Sequence, residues 1–136
     1  MTILGGCLCG RLRYEIAADR PIVARICWCR VCQYLGAGTG TANAMFPKAA
    51  LTTKGERAVY ESLADSGARM FRTFCPNCGT PVFSEAEPRP DFVIVRVGSL
   101  DDPEIGKPVG TIWTGSAPSW ACIDAGLPRG EGQVLG

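Results

Sequence analysis

The amino-acid sequence predicts a mainly β domain with very little helix, and three observations carry that reading. Charged and apolar residues alternate without a break through Arg11-Leu12-Arg13-Tyr14-Glu15-Ile16, the pattern of a strand with one buried face. Phe92-Val93-Ile94-Val95-Arg96-Val97 is the most apolar stretch and suits a central strand. Nowhere do apolar residues recur at helical spacing for three clear turns.

The remaining elements follow in chain order. Pro21 leads into Ile22-Val23-Ala24-Arg25-Ile26-Cys27, a second strand that delivers a cysteine at its end. Arg30 to Leu35 suits one short helical turn, stopped by Gly36 and the glycine-rich run to Gly40. Thr41 to Phe46 reads as a strand closed by Pro47, and Ala58 to Glu61 as another after the turn residues Lys54-Gly55. Arg69 to Phe74 runs into a turn at Cys75-Pro76-Asn77-Cys78-Gly79, and Pro81 to Ser84 leaves it. The organisation expected is a single domain over residues 1–128 with a flexible tail over 129–136.

Composition removes several classes of function. The 136 residues include 8 cysteines and no histidine. Ser-His-Asp triads, histidine metalloprotease motifs and two-Cys two-His fingers are therefore excluded, as is any imidazole acid–base step. With 14 basic and 13 acidic side chains the net charge is +1, which argues against an electrostatic nucleic-acid binder. No apolar run approaches the roughly 18 residues of a membrane span, and Met1 to Cys7 lacks the form of a secretory leader. The expectation is a cytoplasmic chain with reduced thiols, where many cysteines suggest metal before disulfides.

Seven of the cysteines fall into three tight groups: Cys7-x-Cys9, Cys27-x-Cys29-x-x-Cys32 and Cys75-x-x-Cys78. A tetrahedral zinc site usually takes two thiolates from one tight turn and two from another. Cys75-Pro76-Asn77-Cys78-Gly79 has the form of such a turn: Pro76 stiffens it, and Gly79 can adopt the positive φ that aims backbone N–H groups at sulfur. Cys9-Gly10 repeats the ending. Neither pair completes a site alone, so Cys7, Cys9, Cys75 and Cys78 are expected to form one closed zinc site, with ordinary buried or disulfide-bonded thiols as the alternative.

Cys27, Cys29 and Cys32 place three ligands within six residues. Three protein ligands and a vacant position are the pattern of a catalytic zinc. The alternatives are a second closed site completed by Cys122 or a carboxylate, or thiols that hold no metal. Cys122 itself is expected to be a small buried hydrophobe.

In ordered blocks the chain resembles the family of glutathione-dependent formaldehyde-activating enzymes, which also includes centromere protein V. The blocks are Gly6-Cys7-Leu8-Cys9-Gly10, Cys27-Trp28-Cys29-Arg30-Val31-Cys32 with Gly36, and Thr53-Lys54-Gly55-Glu56 with Tyr60-Glu61-Ser62. Phe74 to Phe83, Ile112-Trp113, Ser116, Trp120, Asp124, Leu127 and Pro128 complete the series. The resemblance implies a β-tent, a zinc-binding fold of several coiled antiparallel sheets. It also implies a closed zinc at Cys7, Cys9, Cys75 and Cys78 and a second, exchangeable zinc at the catalytic cysteines Cys27, Cys29 and Cys32. The implied activity is that of a carbon–sulfur lyase, joining a small aldehyde such as formaldehyde to glutathione or a related thiol. The implied partners are those small molecules, with no nucleic acid and no membrane; the oligomeric state is left open. A non-enzymatic zinc module for protein interaction is the rival reading.

Members similar to the founding enzymes carry histidine between the first two cysteines of the trio, and this chain carries Trp28. Glutathione has two carboxylates, so a cleft for it should offer cations. Arg25 and Arg30 flank the trio, and guanidinium suits bidentate carboxylate recognition. Trp28, Trp113 and Trp120 are candidates for aromatic pocket walls, with core packing as the alternative.

Overall fold

The computed structural model describes residues 1–135. In chain order its strands are β1 (Ile3–Gly6), β2 (Arg13–Ile16), β3 (Val23–Cys27), β4 (Thr41–Pro47), β5 (Leu51–Lys54), β6 (Ala58–Leu63), β7 (Arg69–Phe74), β8 (Pro81–Ala86), β9 (Arg89–Arg96) and β10 (Thr111–Ile112). The α-helix among the described residues, α1 (Arg30–Leu35), follows β3 directly. Strands β1, β2 and β5 make a three-stranded sheet in the order β1-β2-β5; the others make a seven-stranded sheet in the order β10-β3-β4-β9-β8-β7-β6. This is the mainly β, β-tent-like arrangement expected. The pairings are antiparallel with one departure, the parallel pair β10–β3. Among the described residues no helix is long and apolar enough to cross a membrane.

Side-chain alternation decides which way each strand faces. In β2, Tyr14 and Ile16 are buried while Glu15 is exposed, so the unbroken charged–apolar pattern maps onto one buried face. Those side chains join Ile3 and Leu12 against Ala44, Phe46, Val82, Phe83, Val93 and Val95 of the larger sheet, and the core is the contact between the two sheets. β9 occupies the centre of the larger sheet, as its sequence suggested. Its Val93 and Val95 face the core, so Ile94 and Arg96 must project from the opposite face.

Tyr14 ties the two sheets together. Its ring meets Phe83 edge-on, 6.4 Å between centroids, and its hydroxyl shares a 2.7 Å hydrogen bond with Ser99 Oγ. Burial pushes its phenol up to about 12, so the ring stays neutral and hydrogen-bonded at ordinary pH. Gly5 makes this packing possible, because a Cβ there would lie 2.3 Å from Tyr14 Oη and 2.6 Å from the Ser99 carbonyl oxygen. Gly5→Ala is expected to destabilise the fold by about 3 kcal/mol through overpacking, read as a shift in the midpoint of urea unfolding.

The described part of the segment expected as a tail is hydrogen-bonded along β10. Thr111 N donates to the Pro128 carbonyl (2.9 Å) and Gly130 N to the Thr111 carbonyl (3.0 Å), with Arg129 bridging in parallel to Thr111. Trp113 N donates to the Gly132 carbonyl (2.9 Å), and Leu135 packs beside Cys27, Cys29, Cys32 and Ile112. The physical reason is an open edge: β10 would otherwise leave its backbone groups unpaired, and residues 128–132 satisfy them. Gly136 lies outside the described residues.

Candidate functional site

Two tight turns assemble the first cysteine group. Cys7 and Cys9 lie in the link from β1 to β2, and Cys75 and Cys78 in the turn from β7 to β8. Their four sulfurs all lie within 4.8 Å of one another, with Cys7–Cys9 at 3.6 Å and Cys9–Cys75 at 3.7 Å. A tetrahedral ion with metal–sulfur bonds of about 2.3 Å spaces its ligands by about 3.8 Å, whereas a disulfide needs about 2.05 Å. The separations fit the first arrangement, and all eight cysteines are free thiols.

The turn geometry agrees. Gly79 and Gly10 adopt φ of +76° and +82°. Asn77 N and Cys78 N donate to Cys75 Sγ at 3.4 and 3.5 Å, and Leu12 N donates to Cys7 Sγ at 3.3 Å. Such bonds stabilise a sulfur that carries negative charge. The Thr80 hydroxyl, 3.1 Å away, and the neighbouring backbone N–H groups bring Cys78 down to about 5.

The second group sits where β3 meets α1. Cys27, Cys29 and Cys32 are buried, and their sulfurs also lie within 4.8 Å of one another. Cys29 caps α1, its sulfur accepting from Cys32 N at 3.3 Å. Cys32 Sγ receives the Asn43 side-chain amide at 3.8 Å. Hydrogen bonds from Cys27 and Cys29 hold Cys32 down at about 3, helped by the charge of Arg96, while the same contacts push Cys27 up. Three sulfurs at this spacing can hold a metal ion, and no fourth Cys, Asp or Glu joins them among the described residues.

The trio opens into a cleft on the face of the larger sheet opposite the core. Arg25 and Cys27 from β3, Asn43 from β4, Arg96 from β9, Ser84 from β8 and Arg72 from β7 line it, with Trp113 on one side. Of the expected substrate contacts, Arg25 and Trp113 are there. Trp113 holds φ of +59° and its indole N–H donates to Gln133 Oε1 at 2.9 Å, so the docked chain end fixes this wall.

Three expected contacts lie elsewhere. Trp28 is buried and packs on Gly40, since alternation through Cys27-Trp28-Cys29 turns it away from the sulfurs. Arg30 is exposed, its guanidinium stacked 5.2 Å over Tyr34 and bonded to Gln33, because α1 carries it outward. Trp120 is 65% exposed and does not line the cleft. Cys122, expected to be buried, is exposed and belongs to neither group.

Sequence reasoning overlooked Asn43, Arg72, Ser84 and Arg96. For Arg96 a signal existed: a cation inside the most apolar strand, in register with the face opposite the core, asks for a polar destination.

The fold and site can be compared with known proteins. No curated protein sequence matches this chain. Among solved structures it is similar to the crystal structure of a Rhodobacter sphaeroides protein, with a TM-score of 0.62 and 22% identity, covering 79% of this chain and 98% of that one. The likeness is one of fold. A family model described as glutathione-dependent formaldehyde-activating enzyme matches residues 2–116, which span both cysteine groups. The chain therefore belongs to the glutathione-dependent formaldehyde-activating enzyme family.

Proposed function

We propose that this protein is a zinc-dependent carbon–sulfur lyase that makes and breaks the adduct between glutathione, or a related thiol, and formaldehyde or another small aldehyde. The observation that carries this reading is the open trio: three buried sulfurs gathered beneath a solvent-accessible cleft that holds Arg25 and Trp113. Family membership supplies the class of reaction.

Cys7, Cys9, Cys75 and Cys78 would hold one zinc as a structural staple, and Cys27, Cys29 and Cys32 would hold an exchangeable second. Zinc bound at the trio would supply deprotonation and placement of an incoming thiol at neutral pH. The chain's own groups do the rest. Arg96 lies near Cys32, whose negative charge it would balance, and Asn43 connects the two: it receives Arg96 Nη1 at 2.6 Å and donates to the sulfur. Trp113 offers an aromatic wall to the cleft, and Arg25 a cation in its lining. With no histidine in the chain, no imidazole moves the hydroxyl proton of the adduct. A reducing cytoplasmic setting belongs to this proposal, since the thiols must stay unpaired.

The test combines metal analysis with glutathione titration. Two zinc equivalents, a saturable change in tryptophan emission from Trp113, and faster exchange between free and glutathione-bound formaldehyde are expected. One zinc equivalent with no response to glutathione would leave a structural zinc module.

A further inference from the structure

Two arginines on the cleft face are buried without a carboxylate partner. Arg72 and Arg96 are 8% and 7% exposed, a depth at which arginine is normally paired. Among the described residues neither forms a salt bridge. Arg72 Nη1 donates to Ser62 Oγ and Arg96 Nη1 to Asn43 Oδ1, while the Nε of each has no partner. Ser84 Oγ is also without a partner, in a residue 1% exposed. Unpaired donors at this depth are costly unless a ligand completes them.

Register brings the three together. Arg72 lies directly across from Ser84 in the β7–β8 pair, and Ser84 lies across from Ile94, two residues before Arg96, in the β8–β9 pair. Ser84 therefore sits between the two arginines on one face, and all three line the cleft of the cysteine trio. Charge points the same way. Three thiolates and a divalent ion sum to −1, and two guanidiniums add +2. Elsewhere in the lining Arg25 and Arg89 outweigh the single acid, Asp65. Burial lowers the Arg96 guanidinium from its ordinary range, opposed by the nearby charge of Cys32 and reinforced by that of Arg72.

We propose that Arg72, Arg96 and Ser84 form a carboxylate seat beside the three cysteines. With Nη1 engaged, the Nε of each arginine is a buried donor without a partner, and so is the Ser84 hydroxyl; a carboxylate reaching them would complete all three. This inference rests on the cleft being the substrate site. The carboxylate comes either from the thiol, as in glutathione, or from an oxo-acid as the aldehyde partner.

Calorimetric titration of the zinc-loaded protein separates the two sources. The ligands are glutathione against its diethyl ester, and glyoxylate against ethyl glyoxylate. At least one acid is expected to bind about tenfold or more tightly than its ester, the ratio a charge-assisted hydrogen bond supports. A preference for glutathione assigns the seat to the thiol; a preference for glyoxylate assigns it to the aldehyde partner, and does so even if glutathione itself fails to bind. Arg72→Gln should abolish the preference. Ser84→Ala, which breaks no hydrogen bond within the protein, should reduce the preference several-fold in a folded chain. Equal affinity for acid and ester in both pairs overturns the seat while leaving the thiol–aldehyde reading intact. Failure of all four ligands to bind overturns both. If Arg96→Gln lowers zinc content but leaves the acid-to-ester ratio unchanged, the arginines are counter-charges to the sulfurs and the seat is wrong.

Discussion

Replacing Cys75 with serine is expected to cost this protein its folded state at ordinary temperature, or to lower its melting midpoint by tens of degrees. Cys75 is wholly buried, accepts the N–H groups of Asn77 and Cys78, and lies 3.7 Å from Cys9 across a sequence separation of 66 residues. The quartet therefore joins the β1–β2 link of the small sheet to the β7–β8 turn of the large one. Structural zinc contributes on the order of 10–16 kcal/mol of apparent binding free energy, as much as the whole stability of a typical domain. A serine oxygen at this position is a poor zinc ligand at neutral pH because it stays protonated. For a chain of this length each kcal/mol lost lowers the midpoint by roughly 3–5 °C, so a loss of even 5 kcal/mol is plainly measurable. Thermal unfolding followed by circular dichroism, with zinc counted in the same samples, checks the result. A strong chelator should act in the same direction on the native protein. So should mild acid, because the thiols must reprotonate to release the metal. An unchanged midpoint in Cys75→Ser would mean that the quartet does not staple the sheets.

Local patterns in the sequence carried the fold a long way, and their reach has a physical limit. Residues 11–16 state their own alternation and 92–97 their apolarity; these and the run 69–74 before the cysteine turn each overlap a strand of the structure, β2, β9 and β7. β1, β5 and β10 were not legible. Ile3–Gly6 ends in two glycines, Leu51–Lys54 alternates only weakly, and Thr111–Ile112 is too short to show a period. The cysteine spacings named both sulfur groups, because a zinc turn is a local structure. The rest of the cleft was not local. Arg25, Asn43 and Arg96 meet only through the pairing of β3, β4 and β9, and Arg72 and Ser84 only through β7 and β8. Trp28 shows the opposite case, since the strand period that aims Cys27 at the cleft already aims Trp28 at Gly40. The docked end of the chain depended on a free strand edge that no stretch of sequence announces.

Cys29→Ser should separate the fold from the chemistry. The substitution is mild for local structure: Cys29 caps α1 through its sulfur, and serine is among the preferred capping residues, so the Cys32 N–H keeps a partner. The quartet is untouched, since Cys29 lies in the other sulfur group. The melting midpoint should therefore stay within a few degrees of the native value. Metal binding at the trio should not survive. Loss of one thiolate of three leaves Cys27 and Cys32, and removal of outer hydrogen-bonding partners alone typically weakens metal affinity by about 10–100-fold. Zinc should fall from two equivalents to one, and glutathione–formaldehyde exchange by about a hundredfold or more. Cys122→Ser, at an exposed position outside both groups, should change neither quantity. The contrast between the variants is what gives the result its meaning. A Cys29→Ser protein that keeps full turnover with one zinc would place the chemistry outside the trio, and one that unfolds would make the second site a staple like the first.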